Sequence, residues 1–217
     1  MRYMQIAFFA LVAFFANFPV TSLAQGDCDD HARLIEQTTD KVLKILRAHT
    51  ATGDAVSVSA LADELLSTLE PVVDFDSIAR GVMGKHGRAA SDRQVEEFAQ
   101  VFRESLVSLY ARSFRTFKVE EARVLDMPSG FDPATAKKAS VRMQATTADG
   151  ETFSLSYSMR RDEQGGWVVR NIVVNGINLG LTYMNQFDGA MSRYGSIDEV
   201  IARWPEEMDE QPVVGKE

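Results

Sequence analysis

Cysteine, histidine and proline are scarce in this sequence: one Cys, three His and six Pro in 217 residues. Cys28 alone forms no internal disulfide, so stability must come from core packing. No two histidines stand at metal or triad spacing: His31 lies in an acidic stretch, His49 at a helix end and His86 in a glycine-rich turn. Each reads as a surface residue. The acids Asp27, Asp29 and Asp30 beside Cys28 and His31 cannot all turn toward one ion, and instead favourably charge a helix start. Gly81, Gly84 and Gly87 follow a helical pattern at neither dinucleotide nor P-loop spacing, which excludes a phosphate cradle. A basic patch is also lacking. With 23 Lys+Arg against 31 Asp+Glu, net charge −8, the chain offers nothing for nucleic acid or anionic headgroups to select. Arg112, Arg115 and Lys118 alternate with Ser113, Phe114 and Phe117, as on the outer face of a helix.

Long apolar runs are confined to the first 24 residues, which hold 18 hydrophobic side chains and 5 of the 13 Phe. Arg2, the run Ile6 to Phe18, Pro19 and the ending Ser22-Leu23-Ala24 have the layout of a signal peptide cut before Gln25. The run is shorter than the roughly 20 residues that span a bilayer. The expected organisation is a signal peptide over 1–24, one domain over 25–204 and a flexible acidic tail over 205–217. Cleavage leaves 193 residues at −9.

The first half of the mature chain is helical by its spacing. Leu34, Ile35, Val42, Leu43, Ile45 and Leu46 form one stripe between Asp27 and His49. A second helix runs from about Ser59 to Leu69 and a third from Asp76 to Met83, with Asp74 or Asp76 as its N-cap. Ser91 and Gln94 make a capping box before a fourth helix, whose broad apolar face runs from Val95 to Phe117. After Phe117 the period changes to two. Val119 to Leu125, Ala139 to Thr146, Phe153 to Arg160 and Trp167 to Val174 read as about four antiparallel strands, with Asp149-Gly150 as a hairpin turn. Helical spacing returns from Ile177 to Trp204, broken at Gly195. The expected class is α+β. Periodicity alone favours a solid interior over a cavity, since any domain needs such faces.

The ordered set Val73-Asp74-Phe75, Ile78-Ala79-Arg80, Met83-Gly84-Lys85, Ser91-Asp92-Arg93-Gln94, Phe98, Phe102 and Leu109-Tyr110 resembles the MlaC/toluene-tolerance family of periplasmic lipid-binding proteins. Gly166-Trp167-Val168-Val169, Val173-Val174-Asn175-Gly176-Ile177, Tyr183, Gln186-Phe187 and Gly195 continue the resemblance. It implies helices packed around a twisted antiparallel sheet that enclose an apolar lipid pocket, reversing the preference for a solid core. It further implies a non-enzymatic, monomeric carrier without a cofactor, moving phospholipid between an outer-membrane lipoprotein complex and an inner-membrane ABC transporter complex. A hopanoid or other polycyclic lipid is the alternative cargo, and a ligand-free envelope adaptor the alternative role. An enzyme would need a carboxylate or His against Tyr110 or Tyr157, the only hidden acids in prospect.

The expected lipid-binding residues are Phe98, Phe102, Leu106, Leu109 and Tyr110 on the fourth helix and Met143, Phe153, Leu155 and Tyr157 on the facing strands. Val82, Met83, Ile172, Val174, Ile177, Leu181 and Tyr183 are expected to close the sides. The sequence departs from the family pattern at His86 and Gly87, where aromatics are usual, at Met184, often Arg, and at Asn171 and Asn178, more commonly Asp and Ser.

Overall fold

The computed structural model describes residues 30–51, 57–114, 119–125, 132 and 135–209. The expected leader, Cys28 and the residues after Asp209 lie outside them. The described elements run α1 (Asp30–Ala51), α2 (Val58–Leu69), α3 (Phe75–Val82), α4 (Asp92–Phe114), β1 (Val119–Val124), β2 (Lys138–Thr147), β3 (Thr152–Arg161), β4 (Trp167–Val174), β5 (Ile177–Asn178), α5 (Leu179–Tyr194) and α6 (Ile197–Asp209). The class is α+β, as the residue patterns predict.

Polar side chains start the helices where the sequence places them. Ser57 accepts from the Ala60 amide at 3.1 Å, and Asp74 Oδ1 from the Ser77 amide at 3.0 Å. Ser91 and Gln94 form the reciprocal box: the Gln94 amide donates to Ser91 Oγ at 3.2 Å, and the Ser91 amide to Gln94 Oε1 at 3.0 Å. Each such cap is worth about 0.5–2 kcal/mol.

The sheet is an antiparallel meander in the order β1-β2-β3-β4-β5, so the expected four strands become five. The fifth is made by Asn175 (φ 47°) and Gly176 (φ 83°), two successive left-handed residues that fold Ile177 back onto Val174. The pairing of β3 with β4 slips by one residue at Arg170, between Ser158↔Asn171 and Met159↔Val169. That bulge has a geometric consequence. Side chains alternate along a strand, so without the extra residue Trp167 and Val169 would face away from Ile172 and Val174. With it, all four share the apolar face. Arg170 Nη1 donates to Asp74 Oδ2 at 2.9 Å, tying the bulge to the start of α3. Nearby, Val169 N donates to Val72 O at 2.8 Å and Asp74 N to Val169 O at 3.1 Å, so the α2–α3 link covers the part of the β4 edge that β5 leaves open.

The interior holds three apolar clusters. Phe98, Phe102, Phe187 and Trp204 stack edge-on or tilted, with centroids 4.8–6.2 Å apart, among α3, α4, α5 and α6. Ile35, Val141, Met159, Trp167 and Val169 join α1 to the sheet, and Leu61, Leu65, Phe75, Val107 and Ala111 join α2 to α3 and α4.

Two expectations change here. The helix expected to end at Trp204 runs through Pro205 to Asp209. An interior proline costs about 3 kcal/mol, but Trp204 and Met208 are fully buried and Glu207 is anchored on three sides. Its carboxylate pairs with Arg193 and accepts from the Tyr194 hydroxyl at 2.8 Å, while its carbonyl accepts from Gln186 Nε2 at 2.7 Å. Packing therefore overrides propensity, and the tail does not begin at 205. His31, expected on the surface, is 0% exposed, its ring centroid 5.3 Å from that of Trp167. It lies four residues before Ile35 and so continues the buried stripe of α1. His49 and His86 are partly exposed, their Nε2 atoms each 2.8 Å from a carboxylate oxygen, of Glu64 and Asp188.

Candidate functional site: an apolar cavity between sheet and helices

Ile172, Leu106 and Val73 bridge the three clusters in pairs. A cavity of about 390 Å³ lies among them, walled by α1, α2 and α4, the apolar face of the sheet and the start of α5. Its wall draws on every cluster: Phe102 and Tyr183 from the first, Ile35 and Met143 from the second, Leu65 and Phe75 from the third. The volume falls in the range of small-molecule sites, and none of the described residues that line it is charged.

Ten of the expected residues line this cavity: Phe102, Leu106, Tyr110, Met143, Phe153, Leu155, Tyr157, Ile172, Val174 and Tyr183. The structure places six others elsewhere. Val82, Met83, Phe98 and Leu109 are buried in the aromatic cluster, on the side of α4 turned toward α5 and α6. Ile177, on the short edge strand β5, and Leu181, in the first turn of α5, are 46% and 50% exposed.

Sequence reasoning missed the opposite wall. Ile35, Thr38, Thr39, Val42 and Leu43 on α1, Leu65 and Leu69 on α2, and Phe75 and Ile78 on α3 also line the cavity. The signal was there, since the α1 stripe contains Ile35, Val42 and Leu43, but periodicity does not say whether a stripe meets side chains or a void.

The polar groups of the wall are hydroxyls and one amide. Burial raises the phenol pKa of Tyr110 and Tyr183 and pushes that of Tyr157 up to about 12. All three stay neutral near pH 7 and can bond without acting as bases. Asn171 is committed: its Oδ1 accepts from the Gly180 amide at 3.0 Å and its Nδ2 donates to Asn178 Oδ1 at 2.9 Å. Among the described residues, no His or carboxylate lines the wall beside Tyr110 or Tyr157, and the many apolar side chains around them suit an apolar guest.

Comparison with known proteins agrees with this geometry. Residues 36–206 match the family described as MlaC protein. The chain belongs to the MlaC family. It is 32% identical over 203 residues to the toluene tolerance protein ttg2D of Pseudomonas putida, covering 91% of this chain and 89% of that one. A solved phospholipid-binding protein from Ralstonia solanacearum, in complex with a phospholipid, shares the fold with a TM-score of 0.68 at 23% identity, over 83% of this chain and 98% of that one.

The departures from the usual MlaC pattern fall into two places. At the α3–α5 contact, the Met184 side chain lies against Gly84, whose φ of +54° suits glycine, and His86 and Lys85 both reach Asp188 Oδ1, at 2.8 and 2.7 Å. The other two departures, Asn171 and Asn178, are bonded to each other. Only Asn171 of these residues lines the cavity.

Proposed function

We propose that this chain is a periplasmic lipid carrier that takes the acyl part of a phospholipid into the cavity and leaves the headgroup outside. The observation that carries this reading is a wall of 29 described residues, none of them charged, around a void large enough for a chain. At about 30 Å³ per water-sized group, 390 Å³ holds roughly 13 methylenes. At about 0.8 kcal/mol each, their burial is worth roughly 10 kcal/mol, the scale needed to replace a bilayer. Membership in the MlaC family, the toluene-tolerance relative and the phospholipid-bound neighbour support the same cargo, and the signal-peptide layout supports export.

The carrier shuttles as a monomer between an outer-membrane lipoprotein complex and an inner-membrane ABC transporter complex, and so helps maintain outer-membrane lipid asymmetry. Without a nucleotide motif of its own, it takes direction from its partners' ATP use. Native mass spectrometry of protein purified gently from a Gram-negative host tests the cargo. Phospholipid at near one per chain is the expected result. A polycyclic lipid in its place would change the cargo, and a ligand-free protein would overturn the carrier.

A further inference from the structure

The cavity wall holds hydroxyl groups whose hydrogen-bonding capacity the fold leaves partly unused. The Tyr157 hydroxyl donates to the Met143 sulfur at 3.8 Å, and the Thr39 hydroxyl donates to the same atom at 3.8 Å. A thioether is a weak acceptor, and here one sulfur serves two donors. Met143 sits on β2, Tyr157 on the neighbouring β3 and Thr39 on α1, so the three meet where the helix crosses the sheet. The Asn171 amide supplies no relief, being committed to Asn178 and the Gly180 amide. The Thr39 and Tyr157 protons therefore share one weak acceptor. A buried donor left with a poor partner is destabilising, and a guest made only of methylenes leaves that penalty in place. A guest that brings an acceptor oxygen removes it.

We propose that Thr39 and Tyr157 form a donor pair for a carbonyl oxygen on the lipid's acyl chain, so that the cavity selects ester-linked acyl lipids over ether-linked or purely hydrocarbon ones. The inference rests on the carrier reading and sharpens it from an apolar guest to an acyl ester. Two sources could bring the carbonyl, a glycerol ester or the carboxyl of a free fatty acid, and a neutral donor pair in a wall with no charged side chain among the described residues favours the ester, which brings no charge to desolvate.

The test uses the full chain after delipidation, offered dipalmitoyl phosphatidylglycerol and its dihexadecyl ether analogue in equal amounts, with bound lipid counted by native mass spectrometry. The wild type is expected to prefer the diester by roughly tenfold, the value of one or two neutral hydrogen bonds. The Thr39→Val/Tyr157→Phe double variant, which keeps the cavity's shape, is expected to bring the ratio close to one. Equal binding by the wild type overturns the proposal whether or not the variant folds, as does a folded variant that keeps the full preference. Palmitate displacing the diester at equal concentration would assign the pair to a free carboxyl and overturn the ester reading. Failure of the wild type to bind either phospholipid would bring down the carrier reading itself.

Discussion

Filling the cavity from both walls should remove the lipid and spare the fold. Leu106 on α4 and Leu155 on β3 both line the void. Replacing a leucine by tryptophan adds roughly 60 Å³, two of the ~30 Å³ units that a water-sized group occupies. Each substitution then displaces about two methylenes of the guest, at about 0.8 kcal/mol apiece. The expected loss is roughly 1.6 kcal/mol for either single variant, about fifteenfold in affinity. For Leu106→Trp/Leu155→Trp together it is roughly 3.2 kcal/mol, about two hundredfold, if the two displacements add.

The added rings enter a void instead of a packed core, so the overpacking penalty of about 1–3 kcal/mol does not apply in full. Ser158→Trp is the control, since Ser158 sits on the same strand but is exposed. Lipid occupancy by native mass spectrometry and a fluorescent fatty-acyl displacement titration read the affinity, and far-ultraviolet circular dichroism reads the fold. A folded double variant that carried as much lipid as the wild type would refute the placement of the guest.

Three further outcomes follow from the packing and the charges. Trp204→Ala should destabilise by about 3–5 kcal/mol in a urea titration, because the ring is fully buried among Phe98, Phe102 and Phe187; a loss under 1 kcal/mol would mean that α6 frays. Burial alone would raise the Glu207 carboxyl, but hydrogen bonds from Arg193 and Tyr194 outweigh it and hold it below its ordinary value. A depressed carboxyl contributes stability above its unfolded value, lost as pH falls through the folded one. The urea midpoint should thus drop below about pH 4.5, and drop less in Glu207→Gln. Finally, a mature chain at −9 should exchange lipid poorly with purely anionic vesicles unless a protein partner docks; rapid exchange at physiological salt would contradict this.

The fold was more legible in the sequence than the site, for reasons visible in single elements. Capping boxes and alternation are local, so Ser91, Gln94, Asp74 and the strands of the sheet could be read directly. The fifth strand was missed, although Asn175-Gly176 between apolar residues is a strong hairpin signal. Face assignment on α4 was harder. Residues four apart on a helix advance by about 40°, so the ridge Phe98, Phe102, Leu106, Tyr110 turns by roughly 120° along its length. It begins in the aromatic cluster and ends at the cavity. No composition rule marks where along such a ridge the neighbour changes from ring to void. The Arg170 bulge is of the same kind: it decides that Ile172 and Val174 face the cavity beside Val169, and it shows only in the pairing of two strands.

That split along α4 also explains how the protein can hold a void at all. The residues around a pocket of about 390 Å³ lack packing partners on one side, and a bound chain supplies them. A domain's whole net stability is about 5–15 kcal/mol, so a fold with such a pocket needs firm packing elsewhere. The aromatic cluster of α4, α5 and α6 lies to one side of this pocket. Its rings pack against each other, and only Phe102 and Tyr183 among its buried aromatics reach the wall. Stability that does not depend on cargo is what a carrier requires, because it must remain folded through the interval between releasing one lipid and taking up the next.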